Sequence, residues 1–128
     1  MQTKIVYLSD LKFNLETWRR ELKFHNSEMD TFEEKLEEIA AREHGKKAMK
    51  PLESFQNRIL IERDVISKLV HRCKAKMKNI SNVNYNDTLD GALQNENATL
   101  RNDMKTYIKL HYELKESMMD YFLKWLES

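Results

Sequence analysis

A seam of regularly spaced apolar residues between Leu8 and Ile39 constrains the fold of this chain more than any other feature. Its ten positions follow one another at alternating steps of three and four residues, and nine of them are apolar. They are Leu8, Leu11, Leu15, Trp18, Leu22, His25, Met29, Phe32, Leu36 and Ile39. On an α-helix this spacing puts all ten side chains on one stripe that follows a partner helix. We therefore predict a long helix that packs lengthwise against a partner, with His25 as the polar exception in its seam.

Two later segments carry the same rhythm. The second seam is Leu52, Phe55, Ile59, Glu62, Ile66, Leu69, Cys73, Lys76, Ile80 and Val83. The residues that widen it into a broad apolar face, as a helix with two neighbours needs, are Leu60, Ile61, Val65, Val70 and Met77. The third seam is Leu100, Met104, Tyr107, His111, Leu114, Met118, Tyr121 and Trp125. Three seams predict three long helices that pack against one another.

The scarcity of Gly and Pro supports long helices with few turns. Only two Gly and one Pro occur in 128 residues, and these residues interrupt helices. Gly45 is expected just after the first helix in the left-handed conformation, and Pro51 in the first turn of the second helix. An Asn-rich stretch at 82–97 predicts the main loop. The expected helices are about 9–44, 50–82 and 97–127, with the loop at about 83–96.

The predicted fold class is all-α: an antiparallel, up-down-up bundle of three long helices with coiled-coil-like packing, forming one domain over residues 1–128. The three predicted helical segments also differ in charge: residues 8–44, 45–83 and 84–128 carry net charges of −4, +7 and −3. A basic middle helix between two acidic ones favours this packing over other pairings. The net charge of the whole chain is only +1, so it gives no general attraction to nucleic acid or to anionic membranes.

Composition also bears on the cellular setting. Cys73 is the only cysteine, so no internal disulfide can form, and its seam position indicates a buried apolar residue rather than a nucleophile. No apolar run approaches the ~18 residues of a membrane span, and the N-terminal residues do not resemble a signal peptide. We expect a cytoplasmic protein without a membrane segment.

Three polar seam residues are the first candidates for a functional site. Counted from the same end of an up-down-up bundle, His25, Glu62 and His111 stand 17, 21 and 15 residues along their helices, which places them within about two helical turns of one another. Such a layer commonly fixes the register of packed helices. The alternative is a metal site with two imidazoles and a carboxylate as ligands. The register role is our default interpretation, so no metal or other cofactor is expected.

His71 is the second candidate. The segment from Val70 to Ala75 reads VHRCKA and resembles the short motif of histidine phosphotransfer domains, in which the His is followed three residues later by Lys and then by Gly. The resemblance covers about five residues, and Ala75 stands where that family has Gly. It implies a helical bundle with an exposed His71 that accepts a phosphoryl group, while Lys74 balances the phosphate charge. An ordinary surface histidine is the simpler interpretation.

A basic cluster on the second helix is the third candidate, for nucleic-acid binding. Its residues are Lys68, Arg72, Lys74, Lys76 and Lys78, with Lys46, Lys47 and Lys50 upstream. No aromatic residue is interleaved with them and no helix-turn-helix spacing is visible. We therefore interpret the cluster as a solvated face that balances acidic neighbours, and we do not expect nucleic acid as a partner.

Apolar residues nearly encircle the end of the third helix, more than a three-helix core needs. The residues that we assign to an interaction surface are Met118, Met119, Phe122, Leu123, Trp125 and Leu126. The surplus predicts self-association, as in a homodimer, or binding of another helical protein. No nucleophile–base pair or phosphate loop occurs, so we assign no catalytic residue. The functional hypothesis is a non-catalytic interaction or scaffolding protein, with phosphotransfer through His71 and metal binding as alternatives.

Overall fold

Three long helices account for the described structure. The computed structural model describes the backbone of residues 8–81 and 91–126, and the side chains of residues 10–80 and 98–126. Helix α1 is Leu8–Arg42, α2 is Lys46–Ser81 and α3 is Gly91–Leu126. At ~1.5 Å per residue each helix is about 50 Å long. The helices pack against one another, which confirms the predicted all-α three-helix bundle. Val83 and the predicted loop up to residue 90 lie outside the described residues.

Two cross-helix hydrogen bonds establish the direction of the helices. The hydroxyl of Tyr121 near the end of α3 donates to the carbonyl oxygen of Ala48 at the start of α2, at 2.7 Å. The guanidinium of Arg42, the last residue of α1, donates to the carbonyl oxygen of Trp125 at 3.5 Å. The ends of α1 and α3 therefore meet the start of α2, and the bundle runs up-down-up as predicted.

The junction between α1 and α2 differs from the prediction. Gly45 does not adopt a positive φ angle, so it is not a left-handed residue at the end of α1. Its carbonyl oxygen instead accepts the N–H groups of Ala48 at 3.2 Å and Met49 at 3.0 Å, which makes Gly45 the N-cap of α2. Because α2 begins at Lys46 rather than near residue 50, Pro51 lies inside the helix and not in its first turn. Helix α3 likewise begins at Gly91, six residues before the expected start at 97.

The seams form two apolar cores that are stacked along the bundle. One core holds Leu11, Leu15, Leu22, Ile66, Leu69, Cys73, Ile80, Leu100, Met104 and Tyr107. The other holds Met29, Phe32, Leu36, Ile39, Leu52, Phe55, Ile59, Leu114, Met118, Tyr121 and Phe122. Between them lie three buried polar residues, His25, Glu62 and His111, which we call the histidine layer. The layer thus separates the two apolar cores.

One part of the predicted core is exposed. Leu60 and Ile61 were expected to widen the apolar face of α2, but 65% and 57% of their surfaces are exposed. The seam residues on the other side of α2 already contact both α1 and α3, so these two positions point away from the bundle. Val70 and Met77 do pack against the core, as expected.

Ion pairs between described residues join each pair of helices. Arg63 of α2 contacts Asp30 at 2.7 Å and Glu33 at 3.0 Å on α1. Arg72 of α2 contacts Asp103 of α3 at 2.6 Å. Lys115 of α3 contacts Glu28 of α1 at 2.6 Å. The first two use the basic residues of α2 against acidic residues of its neighbours, in line with the charge partition of the sequence.

Candidate functional site: the histidine layer

The structure brings the three polar seam residues together. The imidazole rings of His25 and His111 stack with their centroids 3.7 Å apart and their planes 7° from parallel. The Nδ1 atom of His111 hydrogen-bonds to Oε1 of Glu62. Only 1% of His25 and none of His111 is exposed. Each residue reaches this level because it occupies a seam position, which turns its side chain into the bundle.

The contact with Glu62 determines which role Nδ1 of His111 has in hydrogen bonding. A carboxylate only accepts hydrogen bonds, so Nδ1 of His111 donates the proton. In the neutral ring the Nε2 atom then carries a lone pair. That atom is buried and has no hydrogen-bond partner among the described residues. The nearest acidic atom is Oε1 of Glu28, at 3.6 Å.

Tyr107 makes the corresponding contact with His25. Its hydroxyl oxygen lies 2.7 Å from Nδ1 of His25. Burial first, and then neighbouring carboxylates including a hydrogen bond to Glu62, raise the pKa of Tyr107 far above its usual value, so the phenol keeps its proton. The tautomer of His25 decides whether the hydroxyl donates to Nδ1 or accepts from it. Nε2 of His25 lies 3.6 Å from Oε1 of Glu21.

His25 is neutral at ordinary pH. Burial first, and then the neighbouring His111, lower the pKa of His25 to about 4 against the opposing effect of Glu28 and Glu62. Desolvation penalises the charged imidazolium more than the carboxylates stabilise it. His25 is therefore available as an uncharged nitrogen ligand or as a hydrogen-bonding core residue.

Glu28 is a candidate ligand that the sequence analysis missed. One ligand atom from each of His25, Glu28 and His111 lies within 4.8 Å of the others. Glu62, which we expected as the carboxylate ligand, instead contacts the opposite nitrogen of His111. Glu28 lies one position off the α1 seam and so escaped a search of seam positions. The three-residue spacing from His25, which places both on one helix face, is the sequence signal that would have found it.

His71 is exposed, as the phosphotransfer hypothesis requires. It lines an open groove of about 930 Å³ between α1 and α2, which we call the basic groove. The cationic residues that share this groove are Arg19, Arg20, Lys23, Arg63 and Lys74. Arg63 is already paired with Asp30 and Glu33. Phosphotransfer through His71 stays a prediction.

The predicted interaction surface at the end of α3 is smaller than expected. Met118 and Phe122 are buried in the bundle core, with 0% and 7% of their surfaces exposed. Trp125 and Leu126 pack against that core as partly buried residues. Met119 and Leu123 remain exposed. At this end of the bundle α1 ends and α2 begins beside α3. The two helices therefore cover more of the α3 surface than we predicted.

A second apolar surface lies between α2 and α3. It is a groove of about 280 Å³ with a mostly apolar lining, which we call the α2–α3 groove. The residues that line it are Arg58, Ile61, Glu62, Val65, Tyr107, Leu110 and Leu114. The residues at its rim, Ile61, Val65 and Leu110, are exposed. The sequence placed Ile61 and Val65 in the core, so this groove was not foreseen.

Comparison with protein-family models, with curated proteins and with solved structures returns no match for this chain. Among the described residues, no helix is long and apolar enough to cross a membrane. Function is therefore inferred from the side-chain geometry of the described residues.

Proposed function

We propose that this chain is a non-catalytic interaction protein that associates with a second copy of itself through the α2–α3 groove. The observation that supports the proposal is the exposed apolar rim of this groove. Ile61 and Leu110 face each other across it with 57% and 55% of their surfaces exposed. Because little more than half of each side chain is exposed, covering it contributes about 1 kcal/mol, roughly half of what full burial gives. A helix laid in the groove would cover both rims at once.

A second copy suits this groove because its rim is as apolar as its floor. In a twofold dimer the same patch lies on both subunits and must complement itself. The rim residues of one subunit, Ile61 and Val65, have the shape and chemistry to fill the groove of the other. Arg58 at the edge of the groove remains in contact with solvent, as is usual for charged residues at the rim of an interface.

The non-catalytic part of the proposal is supported by the state of the nucleophilic groups. Cys73 is fully buried, and burial raises the pKa of its thiol to about 11. A thiol in that state is a poor nucleophile. A reducing, cytoplasmic setting, which we also propose, suits this single unpaired thiol.

Sedimentation velocity over a concentration series up to high micromolar tests the association. We expect the wild type to sediment as a dimer, and a variant that combines Ile61→Glu and Leu110→Glu to sediment as a monomer, because two buried charges would oppose the contact. Leu60→Glu is the matched control, since Leu60 is equally exposed but does not line the groove. It should remain a dimer.

Two outcomes would contradict the proposal. A wild type that stays monomeric at the highest concentration excludes self-association. A dimer that survives the double substitution but dissociates in a Met119→Glu, Leu123→Glu variant places the interface at the end of α3 instead. Circular dichroism of each variant checks that the helices are intact.

A further inference from the structure

We propose that the histidine layer is part of a binding site for a divalent first-row transition ion such as Zn²⁺, with His25, Glu28 and His111 as the protein ligands. This inference does not depend on the proposed self-association, because the three side chains belong to α1 and α3 of one chain. It rests on four observations, which concern an orphaned atom, the orientation of both rings, the local charge and the spacing of the ligands.

The first observation is a buried imidazole nitrogen without a hydrogen-bond partner beside a carboxylate oxygen; when His111 is neutral, both atoms are acceptors. Nε2 of His111 is completely buried and has no hydrogen-bond donor among the described residues. It lies 3.6 Å from Oε1 of Glu28, which in the carboxylate also only accepts. A buried polar atom without a partner is costly and uncommon in folded proteins. A cation between the two atoms would satisfy both.

The second observation is that the opposite nitrogen of each ring is held by another residue. Glu62 accepts from Nδ1 of His111, and the hydroxyl of Tyr107 lies 2.7 Å from Nδ1 of His25. Metal-binding histidines usually donate their second ring N–H to such a partner, which fixes the tautomer and directs the free nitrogen toward the metal. The His111 ring has that arrangement, and His25 has it in the tautomer that donates from Nδ1 to the Tyr107 hydroxyl.

The third observation is an excess of negative charge. The carboxylates around the layer are Glu21, Glu28 and Glu62. Lys115 is the cation that contacts them, at 2.6 Å from Oε2 of Glu28. Three carboxylates and one ammonium group leave a formal charge of −2 when both imidazoles are neutral. A divalent ion would balance that charge, and Lys115 would still position the Glu28 carboxylate through its other oxygen.

The fourth observation is the spacing of the ligand atoms. They lie within 4.8 Å of one another, whereas a tetrahedral site with bonds of about 2.0–2.1 Å separates its ligands by roughly 3.3 Å. Side-chain rotations that bring the ligand atoms closer, including some unstacking of the rings, would close the difference. The Glu28 side chain is 17% exposed, which gives the ion a path from solvent and leaves a position for water. Two imidazoles with one carboxylate select a transition ion over Mg²⁺ or Ca²⁺.

Binding of Zn²⁺ to the full chain, freed of metal by chelation, tests the inference. Isothermal titration should give one equivalent per chain, and Co²⁺ should give the visible absorption of a four- or five-coordinate site. Glu28→Gln and His111→Gln should each weaken Zn²⁺ binding at least tenfold. His71→Gln is the matched control, because His71 is exposed on the basic groove, and it should bind as the wild type does. Circular dichroism confirms that each variant is folded.

Three results would overturn the inference. These are the absence of saturable Zn²⁺ binding, equal binding by the folded Glu28→Gln variant, and loss of binding in the His71→Gln variant. Nitrogen NMR of the imidazoles gives a readout that does not depend on the variants. If Zn²⁺ binds in the layer, adding it shifts the Nε2 resonances of both His25 and His111. If His111 and Glu28 instead share a proton, adding Zn²⁺ leaves the spectrum unchanged. The monomeric Ile61→Glu, Leu110→Glu variant should still bind one equivalent, which separates this test from that of self-association.

Discussion

At the scale of single residues, the histidine layer exchanges stability for specificity. Burying His25, Glu62 and His111 between two apolar cores removes hydration from three ionisable groups, and the hydrogen bonds among them offset only part of that cost. The layer also admits few alternative arrangements, because each nitrogen and oxygen needs a particular partner. A one-turn slip of α3 that placed Leu114 opposite Glu62 would leave the Glu62 carboxylate without the donor that His111 supplies.

The lowered pKa of His25 predicts a loss of stability in acid. With a pKa of about 4 in the folded protein against 6.5 in the unfolded chain, the unfolded state binds a proton more readily. The contribution of His25 is therefore fully present above pH 6.5 and is lost as the pH falls through about 4. Urea unfolding in EDTA should show the free energy of unfolding decreasing by up to about 1.4 kcal/mol per pH unit between these values.

The groups that face His25 provide the controls for this prediction. They are Glu21 and Glu28 of α1, Glu62 of α2, and Tyr107, His111 and Lys115 of α3. A His25→Gln variant should lose most of the pH dependence above pH 5, where carboxyl groups contribute little. A His71→Gln variant should retain it. An unchanged slope in the His25→Gln variant would assign the effect to another group.

At the scale of the helices, sequence periodicity predicts faces better than ends. Every described seam position of α2 from Leu52 to Ile80 is buried, because a fixed repeat determines which side of a helix meets its neighbours. The ends depend on single residues whose local signals are ambiguous. Gly45 is suited both to follow one helix and to cap the next. The Asn and Asp residues before them favour a loop at residues 91–96, but these residues are helical, and Ala92, Leu93, Gln94 and Glu96 are good helix formers.

The role of Gly45 as the N-cap of α2 leads to a prediction of stability. Its φ is not positive, and an added Cβ would meet no atom within 4 Å. The first turn of α2 has no acidic residue. Gly45→Asp should therefore raise the free energy of unfolding by about 0.5–1 kcal/mol, through a side-chain cap, a favourable charge at the helix N-terminus and a less flexible unfolded chain.

Gly45→Ala and Gly45→Asn are the matched variants for that measurement, made by urea unfolding at neutral pH. Ala cannot cap, so it should have a smaller effect than Asp. Asn caps but lacks the charge, so it should lie between them. Destabilisation by both Ala and Asp would indicate the left-handed conformation that the sequence suggested, and would refute the N-cap.

At the scale of the whole molecule, the sequence predicted the level of the site but not its chemistry. The rise per residue and the up-down-up order fix the heights of His25, Glu62 and His111, so their convergence followed from counting. Which oxygen meets which nitrogen depends on side-chain rotamers that no spacing encodes. The inclusion of Glu28, and the exposure of Ile61 on the α2–α3 groove, became visible only in three dimensions.

The position of the layer between two complete apolar cores allows its register role to be separated from any contribution to stability. A variant with His25→Leu, Glu62→Leu, Tyr107→Phe and His111→Leu removes the polar groups of the histidine layer and the Tyr107 hydroxyl at nearly constant volume, and leaves the Glu28–Lys115 ion pair in place. We expect its free energy of unfolding in EDTA to exceed that of the wild type by about 1–4 kcal/mol, because buried polar networks replaced by well-packed apolar residues often stabilise a fold. Glu62→Leu alone should instead lower it by about 3–5 kcal/mol, since His111 loses its partner inside the bundle. If the apolar variant is less stable than the wild type, the network is itself a source of stability. If it is more stable but shows broadened NMR spectra or a mixture of oligomers, the layer has been retained because it specifies one packing of three similar helices.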